Sequence, residues 1–150
     1  HPTQIVATRR GLDVGRMLMF NLPEVSAIVL TVSDGIASMR DALRTRPWVR
    51  TIVMPDKHGL RAAFGQLGAF GLKRISCVGG RHLAEGLIDA ALIDDTYLTT
   101  SPKAGGEPDT TLPKAATAGA LVVRKHGTGE EAGVMFEHFS IRRRGVKPRP

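Results

Sequence analysis

One hundred and fifty residues suffice to bury an ordinary core without disulfides or structural metal, so a single domain over 1–150 is expected. The single cysteine excludes a disulfide scaffold, and apolar runs of strand length broken by charge exclude a membrane-spanning helix, which together predict a soluble cytoplasmic protein. The net charge of +7 invites a nucleic-acid reading, but Arg142, Arg143, Arg144, Lys147 and Arg149 crowd the C-terminal end and the few aromatic residues are not interleaved with cations; a solvated basic tail is preferred, with no nucleic-acid or membrane partner.

Gln4 to Thr8 is a short β-prone run ending in Arg9-Arg10-Gly11. It would place Thr8, Arg9 and Arg10 at the carboxyl end of a strand, where open α/β sheets bind ligands and where arginine forks can take a phosphate. A solvated turn explains the same residues. Residues 11 to 24 read as irregular. Ala27 to Thr31 is a buried strand, stopping at Ser33-Asp34-Gly35, and again places hydroxyls at a strand end. Ile36 to Arg46 is expected as a short helix with Met39, Ala42 and Leu43 inward, and Val49 to Met54 as an edge strand closed by Pro55. His58 to Gly71 carries Leu60, Ala63, Phe64 and Leu67 at helical spacing, with Gly71 as its cap.

Ile75 to Val78 reads as a buried strand running into Gly79-Gly80 and then directly into a helix from Arg81 to Ala91, with Leu83, Leu87 and Ile88 inward. Two residues without a Cβ let a ligand approach the main chain, and the helix start offers free N–H groups to a pyrophosphate, with Arg81 adding charge. The pair is not a G-x-G-x-x-G fingerprint, and two glycines closing a tight turn would look alike. Beyond Asp94-Asp95, Thr96 to Thr100 forms a strand, Lys103 to Lys114 a polar loop, and Leu121 to Lys125 and Val134 to Ile141 two strands with a hairpin-type connection. The sum is an α/β fold: a mixed, mostly parallel sheet flanked by helices, with a C-terminal antiparallel hairpin.

The run "GLKRISCVGG", "RHLAEGLIDAALIDD", "TYLTTSPKAGG" resembles the reductase domain of the bifunctional riboflavin-biosynthesis deaminase/reductase, of the dihydrofolate reductase-like superfamily. The resemblance implies an NADPH-dependent oxidoreductase acting on a small-molecule substrate of phosphoribosylaminopyrimidine type, and a homodimer. It implies that Gly79 and Gly80 lie against the dinucleotide pyrophosphate and nicotinamide ribose, with Arg81 and His82 opening the helix beneath. It places Thr8, Arg9, Arg10, Thr31 and Ser33 near the adenosine ribose and its 2′-phosphate, and Thr99 and Thr100 on the strand passing the reducible ring. The family often carries glutamate where this chain has Val78. It also begins with a strand, helix and strand that nothing before His1 supplies, so the chain is expected to lack that N-terminal part.

No general acid stands out, and the catalytic residues stay unassigned. Asp94 and Asp95 read as a helix-end pair and Glu130-Glu131 as a solvated hairpin tip. His58, His82, His126 and His138 lack metal-ligand spacing, so no metal is expected, and Cys77 is expected to be buried and inert. The alternatives are a dihydrofolate reductase-like enzyme of other substrate and a non-catalytic nucleotide-binding relative.

Overall fold

The computed structural model describes residues 1–55, 59–103 and 114–141, with only the backbone at Lys114 and Ala115. The expected features at His58, in most of the Lys103–Lys114 loop and in the basic C-terminal tail fall outside the described residues. The chain divides into two compact units, His1–Cys77 and Val78–Pro150.

The first unit is built on three parallel strands, β1 (Gln4–Ala7), β2 (Ala27–Thr31) and β3 (Val49–Val53), in the order β1-β2-β3. The unbroken run Ala27-Ile28-Val29-Leu30 suits the central strand of a parallel sheet covered on both faces, and every residue of β2 is buried. Alternate side chains serve opposite faces. Ala27 and Val29 pack with Val14, Phe20, Met39 and Val49, while Ile28 and Leu30 pack with Ile52, Met54, Ala63 and Leu67. Each fully buried large side chain among these contributes about 1.5–3 kcal/mol relative to exposure.

Helix α1 (Leu18–Asn21) is a single turn, α2 (Ser33–Arg44) supplies Met39 to one face, and α3 (Gly59–Ala69) supplies Ala63 and Leu67 to the other. Gly71 ends α3 in the left-handed region at φ +83, with Leu72 N–H returning to Leu67 O, as a C-terminal glycine does. The segment expected to be irregular, 11–24, is ordered around Asn21. Asn21 Nδ2 donates to the carbonyls of Val14, Gly15 and Met17, and its Oδ1 accepts from Arg46, at 2.7 Å from Nη2. Local propensity misses this because the partner lies across 25 residues. Helix α2 also begins earlier than Ile36, which draws Ser33 into its first turn.

The expected strand Ile75–Val78 is not a strand. None of the six described strands pairs with these residues, and without a partner for its main chain an extended segment forms no sheet. Val78 is 97% exposed, and Cys77, expected to be buried, is exposed too.

The second unit holds α4 (Arg81–Asp89) and three antiparallel strands, β4 (Asp95–Thr100), β5 (Ala120–His126) and β6 (Met135–Ser140), in the order β4-β6-β5. Leu87 of α4 is buried, with Leu83 and Ile88 half-buried. The register puts Tyr97 beside His138 and Thr99 beside Phe136, and a shift at Val122 brings Val123 beside His138 and Lys125 beside Phe136. The mixed α/β class expected from the sequence is the class found, with parallel and antiparallel strands each in a sheet of their own. No helix among the described residues is long and apolar enough to cross a membrane.

Candidate functional site

In the first unit the candidate residues gather where β1 and β2 end. Thr8 N–H donates to Leu30 O at 2.9 Å, which extends the parallel pairing by one residue, and Thr8 Oγ1 closes the next turn on Gly11 O at 2.8 Å. The turn then lies on the first turn of α2. Ser38 Oγ donates to Arg10 O at 3.1 Å, and Gly35 sits so close beneath that a Cβ there would lie 2.8 Å from Arg9 O and against the Thr31 hydroxyl. Gly35 is therefore the residue that lets strand end and helix start meet. In the sequence it reads only as part of the stop after β2, because a glycine at a helix start carries no visible mark of what crosses it.

This packing separates the candidates. Arg9, Arg10 and Ser33 are exposed, and neither guanidinium has an ion-pair partner among the described residues. Thr31 is fully buried, with its hydroxyl against Gly35, so it supports the first turn of α2 and does not meet a ligand directly. Ser33 follows the cap Val32, which supplies no side-chain hydrogen bond, so the amides that open α2 have no cap of their own. Exposed arginines on the turn that packs on α2, and the uncapped amides of that helix, are donors of the kind a phosphate monoester takes.

In the second unit Gly79 and Gly80 lead into α4. Gly80 is the cap at φ −66, ψ 171, with no side-chain cap bond. The amides of Leu83 and Ala84 turn back to Gly80 O at 3.1 and 3.2 Å, which leaves those of Arg81 and His82 ahead of the helical pattern. A Cβ built on Gly80 meets nothing within 4 Å. Neither dihedral strain nor packing among the described residues asks for glycine at 80, and the space in front of it is open.

Arg81 is not a free charge at this end. Its Nε donates to Glu85 Oε1 at 2.7 Å, and His82 Nδ1 lies 3.7 Å from Glu85 Oε2. The Arg81 hydrogen bond holds the Glu85 carboxyl below the ordinary carboxylate range, opposed by partial desolvation and aided by the Arg81 and His82 charges.

The β-sheet of this unit carries a further constellation. Tyr97, Thr99, Val123, Lys125, Phe136 and His138 share one face and line an open hollow of about 280 Å³. Tyr97 lies flat on His138, centroids 4.5 Å apart and planes within 10°, and His138 Nε2 donates to Asp95 Oδ1 at 2.8 Å. Strand alternation divides the two threonines: Thr99 lines the hollow, and Thr100 points to the opposite face. Sequence reasoning missed Tyr97, His138 and Asp95 as a group because residues 95–97 meet 138 only through antiparallel register. On the opposite face, buried Glu137 accepts from Arg124 Nη2 at 2.7 Å and Nε at 3.0 Å. Among the described residues, no group of three His, Cys, Asp or Glu side chains is placed to hold a metal.

No family model matches the chain, and no curated protein matches it. Among solved structures it is similar to the crystal structure of a pyrimidine reductase-like protein from Corynebacterium diphtheriae, with a TM-score of 0.71 and 22% sequence identity over 95% of this chain and 62% of that one. The chain therefore spans less than two thirds of that protein's length. What the two share is the fold, the mixed α/β architecture of a reductase-like protein.

Proposed function

We propose that this chain is an NADPH-dependent reductase of the riboflavin-biosynthesis type, which delivers hydride to a phosphoribosylaminopyrimidine-like substrate and acts as a homodimer. The single observation that carries it is Gly80, a helix cap whose glycine the described packing does not demand and which is followed by the two amides that open α4 ahead of its hydrogen-bonded turns. The shared fold with a pyrimidine reductase-like protein supports the substrate class. The exposed apolar residues Leu121, Val122 and Val123 of β5 support a second copy as partner.

Bound reduced nicotinamide would supply the hydride, and the chain binds and orients. Within the second unit, Gly79, Gly80 and the amides of Arg81 and His82 hold a pyrophosphate; within the first, Arg9, Arg10 and Ser33 offer donors to a phosphate such as the one that distinguishes NADPH from NADH. The residues fit such a cofactor in kind: uncapped amides, guanidinia without an ion-pair partner among the described residues, and open space in front of Gly80.

Calorimetric titration with NADPH, followed by NADPH oxidation in the presence of a phosphoribosylaminopyrimidine, tests this. Binding with oxidation is the expected result. Binding without oxidation leaves a non-catalytic nucleotide-binding relative, and no binding removes the proposal.

A further inference from the structure

We draw no further inference here: the strongest candidate, the exposed edge strand β5 with its apolar residues Leu121, Val122 and Val123, belongs to the second-copy surface already proposed, and nothing in the structure shows what else would cover it.

Discussion

Gly35, in the first turn of α2, lies directly against the main chain of Arg9: a Cβ there would come within 2.8 Å of Arg9 O while also meeting the Thr31 hydroxyl. Neither neighbour can move cheaply, because Arg9 belongs to a turn held by Thr8 and Ser38 and Thr31 is buried in β2. Gly35→Ala should therefore cost about 1–3 kcal/mol through overpacking. Urea denaturation checks this, with a lowered midpoint and unchanged slope expected.

The opposite sign is expected in α3. Gly65 and Gly68 sit inside that helix, are exposed, and have nothing among the described residues within 4 Å of a built Cβ. Gly65→Ala and Gly68→Ala should each stabilise by about 0.5–1 kcal/mol, since alanine loses less backbone entropy and costs no packing here. A rise in midpoint for both variants, set against a fall for Gly35→Ala, would show that surroundings and not residue type set the sign.

Arg124 holds a buried carboxylate. Glu137 keeps only 6% of its side chain exposed and takes two hydrogen bonds from one guanidinium. Arg124→Met should cost about 2 kcal/mol, most of it from leaving the carboxylate without its donor, and Glu137→Gln should recover part of that loss in the double variant. A double-mutant cycle by chemical denaturation measures the coupling.

Glu85 links acidity to α4. Its carboxyl titrates below its ordinary value because Arg81 hydrogen-bonds the ionised form. A lowered carboxylate pKa gives stability that is present above the unfolded value and lost as pH falls through the folded one. Glu85→Gln should thus match the parent protein in acid and fall below it near neutrality, seen as thermal midpoints across pH. The same variant frees Arg81 and removes a negative charge near the helix start, so NADPH affinity should rise by about twofold or more.

The exposed arginines of the first unit have a selective role to test. Arg9→Ala with Arg10→Ala should weaken NADPH about tenfold or more and leave NADH nearly unchanged, because only the first carries a 2′-phosphate. Equal losses by calorimetry would remove these side chains from that task.

The sequence revealed what periodicity and composition encode. The continuous run Ala27–Leu30 announced a buried strand, helical spacing found the inward faces of α2, α3 and α4, and Gly71 marked the end of α3. What stayed hidden depended on partners distant along the chain. Ile75–Val78 has a strand's composition but no described strand pairs with it, and Cys77 is exposed in consequence. Thr31 looked like a strand-end hydroxyl, but Gly35 lies over it. Asp95, Tyr97 and His138 became neighbours only through the β4–β6 register.

The central claim is that Gly80 is bare for a ligand's sake, and Gly80→Ala compared with Gly80→Val tests it most directly. At φ −66 both residues are allowed, and nothing among the described residues lies within 4 Å of a built Cβ, so thermal stability should hold within about 1 kcal/mol of the parent. NADPH affinity by calorimetry should fall about tenfold for alanine and further for valine. Unchanged NADPH affinity in the valine variant would contradict the account.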